Sequence, residues 1–140
     1  MREHSNLTAI FTFCLLISAR ALAEPVILVE EGQPKAPIII PDAPSSLIQK
    51  AAVELQYHLE RASGAELPIV AASSPKGQDD ASARILVGFG PGIDANTLEP
   101  EEYVIRTVGN TLCIVGEQHS REPKATLYGV YHFLDRELGV

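Results

Sequence analysis

Residues 125–140 carry the pattern of an amphipathic helix, and this pattern limits the folds open to the chain. Apolar side chains recur there at steps of three and four, so at about 100° per residue they lie along one stripe of a helix. Such a stripe has to be buried, which requires a second layer of structure packed against it. Ser120 is predicted as the N-cap and Gly139 as a left-handed C-cap. The stripe consists of Leu127, Val130, Tyr131, Leu134 and Leu138.

Gly129 and Phe133 predict a second contact on the same helix. A glycine inside a helix costs about 1 kcal/mol relative to alanine, so its presence indicates that another backbone approaches closely. Phe133 lies one turn further along that side, away from the main stripe. We therefore predict an interdomain contact at Gly129 and Phe133, where a neighbouring domain would pack.

A second helix is predicted between residues 42–46 and Gly64. Asp42 or a serine can serve as its N-cap, Pro44 is tolerated in its first turn, and Gly64 is suited to its C-cap. Apolar residues again follow the helical repeat, so one side of this helix is expected to be buried. They are Ile48, Ala51, Ala52, Leu55, Leu59 and Ala62.

Short β-branched runs separated by turn residues predict strands around these helices. The first two runs bracket a Glu-Gly-containing turn, and the last two alternate around Gly109-Asn110, a hairpin signal. Many strands with only two long helices predict an α+β fold, in which a mixed β-sheet has both main helices packed on one side. The runs are residues 26–29, 37–40, 67–71, 84–88, 102–107 and 111–115.

Residues 1–23 have the composition of a secretory signal peptide. Arg2 and His4 precede an apolar run from Leu7 to Ile17, and Ala21 and Ala23 fit the small positions of a cleavage site. The run is shorter than the ~20 residues that a membrane-spanning helix needs. We therefore expect export to the periplasm or the cell exterior, and one domain at residues 24–140.

Charge and cysteine content restrict the partners of that domain. The whole chain has a formal charge of -7, which becomes -8 when Arg2, Arg20 and Glu3 leave with the signal. An acidic surface repels phosphate backbones, so neither nucleic acid nor an anionic membrane is expected as a partner. Cys113 would be the single cysteine of the mature chain, so the fold has to rest on its apolar core.

Metal and nucleotide sites are not predicted. His58, His119, His132 and Cys113 lack the close spacing of zinc ligands, and Cys113, inside a strand, fits a small buried hydrophobe better than a nucleophile. Residues 88–92 follow a strand and contain three glycines, but the third position of a dinucleotide fingerprint falls on an isoleucine and no helix pattern begins there. No cofactor is therefore expected.

The carboxylates do not form the facing pair that glycosidase or protease chemistry requires. Glu99, Glu101 and Glu102 are close together in a loop, while Asp135 and Glu137 belong to the solvent side of the last helix. Solvated surfaces account for both groups. No residue of this chain is predicted to be catalytic.

Several stretches together resemble a known domain. They are residues 51–59 (AAVELQYHL), 63–69 (SGAELPI), 85–88 (ILVG), 101–105 (EEYVI) and 126–134 (TLYGVYHFL). In this order they resemble the N-terminal domain of bacterial α-glucuronidases, and the pattern is similar to domain 2 of β-hexosaminidases. The resemblance spans nearly all of residues 26–140. The chain departs from it at Lys124-Ala125, where the family helix is usually introduced by a glycine or an Arg-Gly pair.

The resemblance implies a small α+β domain that precedes a (β/α)₈ catalytic barrel. Because the catalytic carboxylates of these O-glycosyl hydrolases belong to the barrel, none is carried over to this chain. The expected function is that of a non-catalytic accessory domain of a secreted glycoside hydrolase, present here as a fragment or a truncated product. The expected partner is the barrel, with a glycan as a further candidate. A self-standing exported domain that binds a glycan or a protein is the alternative.

Overall fold

The computed structural model describes residues 24–140, so the predicted signal peptide lies outside the described part of the chain. Two long helices and seven short strands are its main elements. The strands are β1 (Val29–Glu30), β2 (Gln33–Pro34), β3 (Ile38–Ile40), β4 (Ile69–Ala71), β5 (Arg84–Val87), β6 (Tyr103–Val108) and β7 (Thr111–Gly116). The helices are α1 (Ser46–Ser63), the four-residue α2 (Pro75–Gln78) and α3 (Ala125–Leu138), with a 3₁₀ turn at Ala95–Thr97.

The main sheet has five strands in the order β4-β3-β5-β7-β6. Strand β3 is parallel to both β4 and β5, and β5 is parallel to β7, whereas β6 returns antiparallel to β7 through the turn at Gly109-Asn110. The sheet is therefore mixed, and the fold is of the α+β class predicted from the sequence.

Both long helices pack on one face of this sheet. Alternate strand residues such as Ile38, Ile85 and Ile114 are fully buried against α1 and α3, because successive side chains of a strand point to opposite faces. The helices contribute their own apolar sides to the same core. Those helical core residues are Ala51, Ala52, Leu55, Leu59, Leu127, Val130, Phe133 and Leu134.

The opposite face of the sheet is covered by a loop rather than by a helix. Ile39, Leu86 and Cys113 are buried on this face, although all are on strands of a sheet with helices on one side only. Phe89 and Ile93, from the segment that follows β5, pack over them. The small second core explains why these strands are apolar at consecutive positions.

Residues 26–29 and 37–40, predicted as two strands joined by a turn, do not pair with each other. Strands β1 and β2 form a separate two-stranded sheet within this region, with Val29 opposite Pro34. Strand β3 instead lies in the middle of the main sheet, where it pairs with β4 and β5. Strand β3 pairs with these parallel neighbours because a strand of three isoleucines buries far more apolar surface between two strands than at the edge of a short hairpin.

The helix ends agree with the sequence at three of four positions. Ser45 is the N-cap of α1, where its Oγ accepts the N–H of Ile48 at 3.2 Å. Gly64 and Gly139 end α1 and α3 in the left-handed conformation, as predicted. Ser120 is not the N-cap of α3, because the helix begins at Ala125. The N-cap position is occupied by Lys124, which provides no side-chain cap.

Three smaller differences concern exposure and the loop after β4. Tyr131 is 40% exposed because it lies at the margin of the buried side of α3. Ala62, in the last turn of α1, is also exposed. Residues 73–80, where no strand or helix was predicted, contain α2, which Ser74 caps by accepting the N–H of Gly77 at 3.1 Å.

Candidate functional site

The two residues predicted for an interdomain contact are both buried. A Cβ on Gly129 would lie 2.9 Å from Cγ2 of Ile114 and 3.2 Å from the ring of Tyr103, so the close approach comes from β6 and β7. Phe133 is 7% exposed and belongs to the core between helices and sheet. Partners within residues 24–140 therefore account for the glycine and the phenylalanine, and their interdomain role stays a prediction.

Exposed aromatic side chains lie elsewhere on the helices. Val53 and Tyr57 are one turn apart on α1, both are more than half exposed, and both point away from the sheet. Tyr128 and Tyr131 are exposed on α3, at 38% and 40%. We call these four residues the outer helix surface. Large apolar groups gathered on the solvent side of a helix layer are typical of a contact surface.

Polar groups border the α1 part of the outer helix surface. His58 lies 3.6 Å from the carboxylate of Glu54 one turn earlier, and the guanidinium of Arg61 lies 5.7 Å from the centre of the Tyr57 ring. Partial burial and the nearby charge of Glu54 raise the pKa of the Tyr131 phenol. Apolar centres with a charged margin are the usual anatomy of protein interfaces.

The loop from β7 to α3 contains a buried carboxylate, Glu117, that no sequence pattern had indicated. Its side chain is 1% exposed and accepts the backbone N–H groups of His119 at 3.1 Å and Ser120 at 3.0 Å. His119 in turn donates from Nε2 to the carbonyl of Leu98 at 2.8 Å. Because these bonds hold the loop in shape and tie it to the segment at Leu98, Glu117 and His119 fix the path of the chain into α3.

Burial alone would raise the pKa of Glu117, but the hydrogen bonds from Ser120 and His119 outweigh it and lower the pKa below the ordinary 4.5. A carboxylate with a lowered folded-state pKa stabilises the fold above its unfolded pKa, and this contribution disappears as the pH falls through the folded pKa. Glu117 is therefore a stabilising group at neutral pH and not an acid poised for proton transfer.

We expect Glu117→Gln to be less stable than the parent near neutral pH, and the difference to shrink as the pH is lowered from about 6 to about 3. Urea unfolding at several pH values measures this difference. Glu122→Gln, at an exposed position of the same loop, is the matched control and should follow the parent throughout. A difference between Glu117→Gln and the parent that stays constant over the whole range would contradict the prediction.

The histidines and the cysteine considered as metal ligands do not come together. His58 lies on α1, His119 in the loop before α3, and His132 on α3, where Nδ1 is 2.9 Å from the hydroxyl of Tyr103. Cys113 is fully buried, and this burial raises the pKa of its thiol. Within residues 24–140, no three His, Cys, Asp or Glu side chains are close enough together to hold a metal ion.

The glycine-containing segment after β5 is part of the core covering. A Cβ on Gly90 would lie 3.0 Å from Sγ of Cys113, so the loop backbone rests directly on the sheet. A bridge between Gly90 and Ile93 closes a tight turn, and the amide of Gln118 donates to the carbonyl of Gly88. Packing against Ile48 and Cys113 therefore accounts for Gly88 and Gly90.

Two open surface depressions lie away from Glu117, the histidines and Cys113. One with a mostly apolar lining has a volume of about 480 Å³, and the N-terminal residues 24–27 form one side of it. A second, of about 310 Å³, is lined by Phe133, Leu138 and Val26 among others. Neither brings two carboxylates face to face across a cleft, which is the arrangement that glycoside hydrolysis needs.

Comparison with models of known protein families gives no match, and comparison with curated proteins gives none either. None of the helices in residues 24–140 combines the length and the apolar composition needed to cross a bilayer.

Proposed function

We propose that residues 24–140 form a non-catalytic accessory domain of an exported carbohydrate-active hydrolase, and that the domain docks on the catalytic part through the outer helix surface. The observation that carries the proposal is the exposure of Val53, Tyr57, Tyr128 and Tyr131 on one helix layer. Tyrosine suits such a contact because its ring buries a large apolar area while its hydroxyl finds a polar partner.

The fold and the distribution of carboxylates support the same proposal. The sheet with two helices on one side is the architecture that the α-glucuronidase resemblance implies. Among residues 24–140, Glu117 is the one deeply buried carboxylate, and it accepts hydrogen bonds from backbone N–H groups of its own loop. A supporting role therefore accounts for the acidic side chains of this part of the chain better than catalysis does.

The first test is an activity assay. We expect the purified chain to release no product from aryl glucuronides, aryl hexosaminides or aryl xylosides above the rate of a heat-denatured sample. Turnover of any of these substrates that scales with the concentration of folded chain would overturn the proposal.

The second test addresses docking. A (β/α)₈ hydrolase domain encoded in the same reading frame or beside it should bind the chain with 1:1 stoichiometry in calorimetry. The double variant Tyr57→Ser/Tyr131→Ser should bind at least about tenfold more weakly, since interface aromatics often contribute 2 kcal/mol or more each. Val108→Ser, at an exposed position on the sheet, is the control and should bind like the parent.

The same calorimetric measurement distinguishes the alternative, a self-standing glycan-binding domain, from the accessory domain. Saturable binding of xylan-derived oligosaccharides by the chain alone, abolished in the tyrosine double variant, would favour it over docking. Flat titrations with these oligosaccharides, together with binding of the barrel, support the accessory role.

A further inference from the structure

Strand β6 is an edge of the main sheet with one side unpaired. It pairs with β7, and Glu117 donates its N–H to the carbonyl of Glu102 at 3.0 Å at the start of the strand. In an antiparallel pair, alternate residues turn their backbone groups toward the partner, so the even-numbered residues of β6 face β7. Tyr103 and Ile105 therefore face outward, and among residues 24–140 no hydrogen bond reaches their backbone groups.

We propose that this edge pairs with β6 of a second copy of the chain, antiparallel, about a two-fold axis at Val104. The outward groups of Tyr103 and Ile105 then form two hydrogen-bonded pairs across the axis, since Tyr103 of each copy faces Ile105 of the other. A continuous ten-stranded sheet results.

Charge complementarity selects this register. With the axis at Val104, Glu102 of each copy lies directly opposite Arg106 of the other, which creates two cross-strand ion pairs on the sheet face away from the helices. On the helix face, Tyr103 meets Ile105, an aromatic and β-branched pair of the kind that stabilises antiparallel strands. Moving the axis to Ile105 would place Arg106 opposite Val104 and remove both direct ion pairs.

The two charged side chains are accessible for such pairing. Glu102 and Arg106 are exposed, and within the described part of the chain Arg106 forms no salt bridge. One carboxylate oxygen of Glu102 accepts the N–H of Glu99 at 2.6 Å, which leaves the second oxygen for the arginine. That bond also holds the side chain beside the strand.

The helices leave room for a second copy. A two-fold axis perpendicular to the sheet places α3 of both copies on the same face, and α3 packs across β6 and β7. Two helices over such strand pairs lie about two strand spacings apart, roughly 10 Å, which is the distance at which helices pack.

The opposing interpretation is that Arg106 prevents association of the chain through this edge strand. A charge on an edge strand is a common device against association, and the acidic chain as a whole repels itself. This interpretation predicts a monomer at every concentration. At 0.15 M salt the net repulsion is screened beyond about 8 Å, whereas charges in direct contact are screened less.

Sedimentation equilibrium of the full chain from about 10 µM to about 1 mM tests the proposal, with an expected monomer–dimer equilibrium. Glu102→Arg and Arg106→Glu should each weaken dimerisation at least about tenfold, because each places like charges opposite one another at two positions. The double variant E102R/R106E should recover the parent's dissociation constant within about threefold. A monomer throughout the range, or single variants that dimerise like the parent, would overturn the proposal.

A cross-linking measurement gives a second, independent result. Val104 faces its own counterpart as a non-hydrogen-bonded pair, where Cβ atoms are about 5 Å apart and a disulfide can form. Val104→Cys should therefore oxidise to a covalent dimer at least about tenfold faster than Thr107→Cys, whose counterpart lies roughly 20 Å away along the strands. The parent chain gives the background of its own two cysteines, and equal rates for the two variants would refute the register.

Discussion

Replacing Gly116 with alanine is expected to destabilise the fold by about 3 kcal/mol or more. A Cβ at this position would lie 2.1 Å from the backbone nitrogen of Thr126 and 2.4 Å from the carbonyl carbon of Ala125. Both atoms belong to the first turn of α3, so the clash is relieved only when the helix slides along the sheet. The Gly116 N–H also donates to Oγ1 of Thr126 at 2.9 Å, and this buried bond would be lost.

Gly129→Ala is the matched control for that experiment. Here the Cβ would meet side-chain atoms instead of backbone, Cγ2 of Ile114 at 2.9 Å and the ring of Tyr103 at 3.2 Å, so the repulsion is smaller than at Gly116 although Ile114 has to shift. Alanine also gains about 1 kcal/mol of helix propensity over glycine. Urea unfolding should therefore find Gly129→Ala within about 1 kcal/mol of the parent. Equal losses in the two variants would contradict the packing described at Gly116.

Leu55→Ala is expected to lower the free energy of unfolding by about 3 kcal/mol. Leu55 is fully buried in the middle of α1, between the sheet and α3, so its removal leaves a cavity in the principal core. Val53→Ala, two residues away on the same helix, is the control because Val53 is 54% exposed. It should change the stability by less than about 0.5 kcal/mol. Thermal and urea unfolding of both variants measure the contrast, and a small effect of Leu55→Ala would mean that this core is loosely packed.

Helix α3 shows which features a periodic apolar pattern predicts and which it misses. The pattern predicted the helix, its left-handed end at Gly139 and most of its buried side. It placed Tyr131 inside that side and Phe133 outside, whereas the structure exposes Tyr131 and buries Phe133. Because α3 contacts both the sheet and α1, its buried arc is wider than one stripe, and its centre is set by neighbours that the local sequence does not encode.

Identifying the candidate surfaces depended more on the tertiary structure than identifying helix α3 did. Exposed Val53 and Tyr57 follow from their place opposite the buried side of α1, so the sequence alone could have indicated them. Their association with Tyr128 and Tyr131 required the packing of α1 beside α3. Likewise, the self-complementary residues 102–106 are visible in the sequence, but that their backbone faces outward follows only from the register of β6 on β7.

The sequence by itself determined the types of the main elements, the caps at Gly64 and Gly139, and the α+β class, because these depend on side-chain periodicity and backbone preferences within a few residues. Only the tertiary structure decided that β3 lies between β4 and β5 and that Glu117 is buried among backbone N–H groups. Strand pairing and the burial of a charge depend on the balance between desolvation and contacts from distant segments, and that balance exists only once those segments have met.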